Sequence, residues 1–290
     1  MPRVTTAPSE LPVAVFDSGV GGLTVLHECL VSLPHEDFLY LGDTARFPYG
    51  NRSAEELRTF AHELAETLVA HGAKLLVVAC NSATAAALPE LGEHLAGRVA
   101  VVGVITPESR RAAEVTRTGK VGLMATCATV ESGAYDRALD EASGGTAQLV
   151  SVGSPDLASL IQAGGEVDED TVAAVERACA PLRDAGVDTV ILGCTHYPLV
   201  RPLLHRTLGR GVEIVTSGEA IATAVEAELA ASGLAAPHAR RGIYRFMATG
   251  DPEEFRRAGV RFLQLPIARV AHVRTGGEDP ALAPAPAVTP

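Results

Sequence analysis

The chain has 290 residues, of which 47% are hydrophobic and 20% are charged, and this composition predicts a globular core of one large or two ordinary domains. A formal net charge of −11, the absence of tryptophan and an aromatic content of 4% argue against nucleic acid or an anionic membrane as a partner. No apolar run approaches the roughly 18 residues that a membrane span needs, and residues 1–12 lack the apolar region of a secretory signal, so a cytoplasmic location is expected.

Short apolar runs alternate with helical stretches along the chain. The first helix is predicted to end near Leu33, and the helix over 53–72 has Ser53 as its N-cap. This alternation predicts an α/β fold with mainly parallel sheets. Disordered tails are predicted at 1–10 and 276–290, which are rich in proline and polar or small residues. Strands are predicted at 12–17, 37–43, 74–80, 98–105, 120–126, 148–152, 188–194 and 212–217.

An internal repeat relates the two halves of the chain. Residues 72–91 resemble residues 186–204, because each segment has a glycine, an apolar strand and a cysteine eight residues after the glycine. Residues 13–26 line up more loosely with residues 121–135. Ligands of open α/β sheets bind at the carboxyl ends of the strands, where both repeated cysteines stand. The repeat therefore predicts two related units that place one ligand between the thiols of Cys80 and Cys194.

The five cysteines are widely spaced and form no CxxC pair, which is typical of reduced thiols rather than disulfides or a zinc ribbon. Cys29 and Cys179 fall in predicted helices and are expected to be core residues, and Cys127 is expected near the site without acting in it. Cys80 and Cys194 end apolar strands and precede residues typical of helix N-termini, whose free N–H groups hold anions and lower a thiol pKa.

Two further features adjoin the predicted thiol site. His196 follows Cys194 by two residues and brings a group that titrates near neutrality, although Cys-x-His alone falls short of the three or four ligands of a metal site. The loop DSGVGGLT at 17–24 resembles a dinucleotide fingerprint, but Thr24 stands where its third glycine belongs. Asp17 either caps the following helix or tunes a facing thiol, and Ser18 can donate to a ligand. GDTARFPYG at 42–50 is a polar loop at the same edge.

These segments together resemble the ordered motifs of the glutamate racemase family, within the aspartate/glutamate racemase superfamily. The resemblance rests on FDSGVGGLTVL, YLGDTARFPYG, VVACNSATA, ATCATVESGAY and LGCTHYPLV, and it extends from about Val13 to Leu263. It implies two pseudo-symmetric, open, mainly parallel α/β domains with the active site between them, one over 11–105 plus 217–275 and the other over 106–216. It implies catalytic roles for Cys80, Cys194, Asp17 and His196. It assigns substrate binding to Ser18, Pro48, Tyr49, Gly50, Asn81, Ser82, Thr126, Thr129 and Thr195.

The resemblance also implies an activity. The expected reaction is cofactor-independent racemisation of glutamate, which supplies D-glutamate for peptidoglycan, with no metal, and homodimerisation is left open. Racemisation takes the α-proton from one face and returns a proton to the other, so one thiol per face is a natural solution. No lysine suits a pyridoxal phosphate site, since Lys74 and Lys120, the only lysines, precede strands at the opposite sheet edge.

Some positions depart from the family pattern. Ser82 stands in place of threonine, Ser154 in place of cysteine, Gln162 in place of the glutamate that supports His196, and Thr216 in place of aspartate. Glutamine keeps the shape and hydrogen bonding of glutamate but cannot ionise. These departures leave two alternatives to glutamate racemisation. The chain could be a racemase of aspartate or another acidic amino acid, or a paralogue of low activity that acts by binding a partner.

Overall fold

The computed structural model describes residues 7–164 and 167–275. Within these ranges the chain forms ten strands, eleven α-helices and two 3-10 helices, at Pro8–Glu10 and Tyr197–Val200. The strands are β1 Val13–Asp17, β2 Phe38–Gly42, β3 Leu75–Val78, β4 Ala100–Gly103, β5 Lys120–Ala125, β6 Gln148–Gly153, β7 Thr189–Gly193, β8 Glu213–Val215, β9 Tyr244–Ala248 and β10 Val270–His272. The α-helices are α1 Leu23–Ser32, α2 Ala54–Ala70, α3 Asn81–His94, α4 Ile105–Val115, α5 Cys127–Glu131, α6 Ala134–Ser143, α7 Leu157–Ala163, α8 Glu169–Ala185, α9 Arg201–Leu208, α10 Ser217–Ser232 and α11 Pro252–Leu263.

The strands form two sheets whose neighbouring strands are all parallel. The first sheet has the order β10-β9-β2-β1-β3-β4, and the second has the order β6-β5-β7-β8. The order β2-β1-β3-β4 therefore recurs as β6-β5-β7-β8, with β9 and β10 added at one edge of the first sheet. This recurrence confirms the predicted α/β class and the pseudo-symmetry of the two halves.

The continuous apolar run of β1 reflects burial on both of its faces. Val13 and Val15 point into one buried cluster, and Ala14 and Phe16 point into another. The cluster that holds Val13 also includes Ile191 of the second sheet. The two sheets thus share one apolar core, which sets their relative position.

All eight predicted strands are present, each within two residues of its predicted ends. The helix predicted over 53–72 spans Ala54–Ala70, and the Ser53 side chain accepts a hydrogen bond from the backbone N–H of Glu56 at 3.2 Å, as an N-cap should. Strands β9 and β10 were not predicted. No helix in 7–164 and 167–275 is long and apolar enough to cross a membrane.

The predicted tails need one correction. Residues 1–6 and 276–290 lie outside the described residues, but Pro8–Glu10 form a 3-10 helix and are not disordered. A hydrogen bond holds this segment in place, because the buried Lys74 ammonium donates to the carbonyl of Ser9 at 2.6 Å and also pairs with Glu36. Lys74 precedes β3 and therefore lies at the amino end of the sheet, as the sequence indicates.

Candidate active site

The carboxyl ends of the strands gather the predicted site residues. Asp17 is the last residue of β1, Cys80 follows β3 by two residues, and Thr126 and Cys194 come directly after β5 and β7. Parallel strands bring these ends to one edge of each sheet. The two edges meet, since the Thr24 hydroxyl of α1 donates to the carbonyl of Thr195 at 3.0 Å.

Cys80 is the N-cap residue of α3, and it is only 5% exposed. Burial and, to a smaller extent, the negative charge of Asp17 raise the pKa of its thiol to about 12. The backbone N–H of Ala83 and the hydroxyl and N–H of Ser18 act in the opposite direction. The thiol is therefore protonated near pH 7, with donors already placed to hold it as a thiolate.

Asp17 is fully buried beside Cys80. Its Oδ2 accepts hydrogen bonds from the N–H groups of Gly22 at 3.0 Å and Gly19 at 3.2 Å, which explains why the glycine-rich loop wraps around it. Its Oδ1 has no hydrogen-bond partner among the described residues. Burial raises the pKa of Asp17, so this carboxyl holds a proton more readily than an exposed one.

Cys194 is the counterpart of Cys80 and is 7% exposed. Burial raises the pKa of its thiol well above the usual range, and the N–H groups of His196 and Tyr197 lower it in part. Negative charge on Asp17 or Cys80 raises the pKa of Cys194 as well. That effect requires proximity, so the structure brings the two thiols into one electrostatic environment, where ionisation of one opposes ionisation of the other.

His196 is buried between the rings of Phe47 and Phe262. Burial lowers its pKa to about 3, with a smaller contribution from the charge of Arg261, so the imidazole is neutral near pH 7. Its Nε2 lies 2.9 Å from Oε1 of Gln162, and its Nδ1 lies 3.9 Å from Sγ of Cys194.

The contact with Gln162 decides the tautomer of His196. An amide oxygen only accepts hydrogen bonds, so Nε2 carries the ring proton and donates it to Gln162. The unprotonated Nδ1 then faces Cys194 and accepts from its thiol. In 7–164 and 167–275 no group of three His, Cys, Asp or Glu residues is arranged to hold a metal ion, around His196 or elsewhere.

Three buried hydroxyls form a triangle that joins the two halves of the site. Ser82 Oγ lies 2.9 Å from Oγ1 of Thr126 and 3.1 Å from Oγ1 of Thr129, and the two threonine hydroxyls are 2.9 Å apart. Hydroxyls both donate and accept, so this triangle can reorient to donate to an anion. Gly50 closes over it, because a Cβ at that position would lie 2.8 Å from Thr126.

The other predicted binding residues lie around these groups. Pro48 and Tyr49 precede Gly50 in the loop, and Thr195 Oγ1 is 3.4 Å from Nδ1 of His196. The hydroxyl of Tyr49 donates to the buried carboxylate of Asp43. Tyr49 can therefore serve a ligand through its backbone but not through this hydroxyl, which the sequence did not indicate.

The structure also places residues at the site that the sequence did not single out. Asp43 holds the loop by accepting from Arg46 Nε and Thr249 Oγ1, each at 2.6 Å, as well as from Tyr49. Its position in the polar loop at 42–50 was the only available signal. Glu108 contacts Asn81 from a different helix, and nothing in its local sequence indicates this contact.

Comparisons with known proteins agree with this geometry. The family model described as Asp/Glu/hydantoin racemase matches residues 25–225. The glutamate racemase of Beutenbergia cavernae is 45% identical over 265 residues, which cover 88% of this chain and 90% of that protein. The glutamate racemase of a Parafrankia species is 45% identical over 264 residues, which cover 91% of this chain and 94% of that protein.

Solved structures give the same result. Glutamate racemase isoform RacE1 from Bacillus anthracis superposes with a TM-score of 0.87 at 38% identity, over 92% of this chain and 98% of that chain. Glutamate racemase from Francisella tularensis in complex with D-glutamate superposes with a TM-score of 0.84 at 29% identity, over 92% of this chain and 98% of that chain. The chain therefore belongs to the glutamate racemase family, within the Asp/Glu/hydantoin racemases.

Proposed function

We propose that this chain interconverts L-glutamate and D-glutamate by proton transfer between two thiols, without a cofactor. The names of its relatives support the substrate, and the structure from Francisella tularensis contains D-glutamate. The observation that carries the proposal is the placement of Cys80 and Cys194. They are buried thiols at equivalent strand ends of two sheets that share a four-strand order, in one electrostatic environment.

The reaction needs one base and one acid on opposite faces of the α-carbon. One cysteine, as thiolate, takes the α-proton, and the electron pair of the C–H bond stays on the substrate as a carbanion. The other cysteine, as thiol, gives its proton to the opposite face of the carbanion. The product is the other enantiomer, and the thiol and thiolate have exchanged places. The reverse reaction restores the starting state.

The charges of the site favour a single thiolate. Two thiolates repel, as the effect of Cys80 on the pKa of Cys194 indicates. The ammonium group of a bound amino acid supplies positive charge, which favours the first ionisation. Asp17 stands beside Cys80, and His196 offers Nδ1 as an acceptor to Cys194. We therefore propose that Asp17 assists Cys80 and that His196 assists Cys194.

The carbanion needs strong stabilisation, because the α-proton of an amino acid is far less acidic than a thiol. Negative charge that develops next to the α-carboxylate is stabilised by preorganised donors in a site without water. The hydroxyl triangle and the N-terminus of α3 provide such donors. We propose that the substrate is held by Ser18, Pro48, Tyr49, Gly50, Asn81, Ser82, Thr126, Thr129 and Thr195, with Tyr49 acting through its backbone.

The test is racemisation of each glutamate enantiomer by the purified wild-type protein and by Cys80→Ser and Cys194→Ser variants, followed by circular dichroism. The wild type should racemise glutamate, and each variant should lose at least about a thousandfold in rate, since removal of a residue that acts in proton transfer costs this order. Cys127→Ser is the matched control and should stay within a factor of about two. Full activity in either variant would contradict the two-thiol reaction, and turnover of aspartate or a hydantoin in place of glutamate would contradict the substrate.

We further propose that the chain divides into a domain over 11–105 plus 217–275 and a domain over 106–216. The sheets support this division, because one contains β1–β4, β9 and β10 and the other contains β5–β8.

We propose a cytoplasmic location, supported by five free cysteines. The D-glutamate would supply peptidoglycan. Depletion of this enzyme in its host should then cause a growth defect that added D-glutamate relieves.

A further inference from the structure

Glu108 is a buried carboxyl residue that has no role in the proposed reaction. It lies in the first turn of α4 and has no solvent exposure. Removal of a carboxyl from water is costly unless its oxygens are hydrogen-bonded. The groups that donate hydrogen bonds to the Glu108 carboxyl therefore indicate its role.

The partners of Glu108 come from three other helices. Its Oε2 accepts from Asn81 Nδ2 at 3.2 Å and from the hydroxyl of Tyr135. Its Oε1 accepts from the hydroxyl of Ser217. Asn81 Nδ2 also donates to the hydroxyl oxygen of Tyr135 at 2.7 Å. Both N–H bonds of the Asn81 amide thus have acceptors on the same side.

This arrangement fixes which way the Asn81 amide faces. An amide whose two N–H bonds are taken up by Glu108 and Tyr135 must turn its oxygen away from them. Asn81 Oδ1 is buried and has no hydrogen-bond partner among the described residues. Asn81 is the first residue of α3 and directly follows Cys80, so this free acceptor belongs to the helix end that carries a reacting thiol.

We propose that Glu108 is a positioning residue, which holds the Asn81 amide so that Oδ1 accepts a hydrogen bond from the ammonium group of the bound amino acid. The inference rests on the proposed function. An amide oxygen requires a donor, and the ammonium group is the donor that every α-amino acid carries next to its α-carbon. A buried acceptor without a partner costs free energy, and binding of an ammonium group removes that cost.

The orientation survives a change in the protonation of Glu108. Burial raises the pKa of Glu108 to about 8, against the opposing effect of its three donors, so the carboxyl holds a proton over part of the neutral range. A proton on Oε1 can be donated to the Ser217 hydroxyl, and Oε2 then still accepts from Asn81. Glutamine at position 108 can make the same contacts, with its amide N–H toward Ser217 and its oxygen toward Asn81.

The experiment compares the KM and kcat for glutamate in Glu108→Leu, Glu108→Gln and Ser217→Ala variants with those of the wild type. In Glu108→Leu the Asn81 amide can turn over, and loss of a hydrogen bond to a charged group should raise KM about tenfold to a hundredfold. The value of kcat should change by less than about fivefold, because the ammonium contact is equal in the ground state and the transition state. Glu108→Gln should restore KM to within about threefold. Ser217→Ala removes a partner of the other oxygen and should leave KM within about twofold.

A double-mutant cycle separates positioning from a general loss of structure. In an Asn81→Ala background, Glu108→Leu should change KM by less than about twofold, because its effect passes through Asn81. An undiminished effect in that background would overturn the proposal, as would a Glu108→Leu enzyme with an unchanged KM. If Glu108→Leu does not fold, Glu108→Ala replaces it in the same cycle. A wild type that does not racemise glutamate would instead refute the proposed function, so the two failures are distinguishable.

Discussion

Placing a carboxylate at position 162 should change how Cys194 is activated. In this chain Gln162 holds the Nε2–H tautomer of His196, and burial keeps the pKa of that histidine at about 3. The imidazole therefore accepts a hydrogen bond from Cys194 but holds its proton poorly. The Gln162→Glu variant keeps the shape of the side chain and adds a negative charge next to Nε2.

The size of the expected change in the pKa of His196 follows from the distance between the added carboxylate and the imidazole ring. Charge centres about 4 Å apart interact by about 4 kcal/mol at an effective dielectric constant of about 20. This free energy corresponds to roughly a thousandfold in the proton affinity of His196. The negative charge raises the pKa of His196, so the histidine takes the Cys194 proton more readily and Cys194 becomes a thiolate at lower pH. Even a third of this free energy moves the ionisation by about one pH unit.

The assay is the pH dependence of kcat/KM for racemisation. A thiolate is required, so the wild-type rate should rise with pH, and in Gln162→Glu this rising limb should lie at least about one pH unit lower. Gln162→Leu lacks the acceptor, lets the ring proton move to Nδ1 and should lower kcat/KM about tenfold or more. Gln148→Glu, at an exposed position, is the matched control. A rising limb that is unchanged in Gln162→Glu, or that moves to higher pH, would refute this reasoning.

Two further substitutions test the surroundings of the thiols. Asp17→Asn removes the negative charge that raises the pKa of Cys80, so alkylation of Cys80 at pH 8, followed by mass spectrometry, should become faster than in the wild type; an unchanged or slower reaction would contradict the assigned role of that charge. Gly21→Ala places a Cβ against His196 and Thr195, and this overpacking should cost about 1–3 kcal/mol, visible as a lower Tm, and slow racemisation at least about tenfold. Its control is Gly92→Ala in α3, where an added Cβ meets no atom within 4 Å; equal effects of the two substitutions would argue against the close packing at Gly21.

Much of the fold was predictable from residue patterns in the sequence. The central strands β1, β3 and β7 carry apolar runs and are buried along their whole length, and the repeat around Cys80 and Cys194 indicates two equivalent strand ends. Strand β9, Tyr244–Ala248, was missed because its sequence YRFMA includes Arg245 and is only partly buried. Its pairing with β2 depends on a contact about 200 residues away in sequence.

The details of the site were less predictable, because they depend on contacts between distant elements. Gln162 meets His196 only because α7 packs beside the loop after β7, and no local pattern indicates which ring nitrogen it contacts. No local pattern indicates that the Tyr49 hydroxyl donates to Asp43. Glu108 lies 27 residues from Asn81 in sequence, and its role depends on the packing of four helices.

In the proposed reaction each thiol serves one face of the substrate. Exchange of the α-proton for deuterium in D₂O, followed by NMR on each glutamate enantiomer separately, measures the action of each thiol without requiring racemisation. With one thiol replaced, the remaining thiolate can remove the α-proton from its own face and return a deuteron there. Cys80→Ser and Cys194→Ser should therefore exchange opposite enantiomers, with inversion lost in both. Exchange of the same enantiomer by both variants, or inversion by either, would contradict the account.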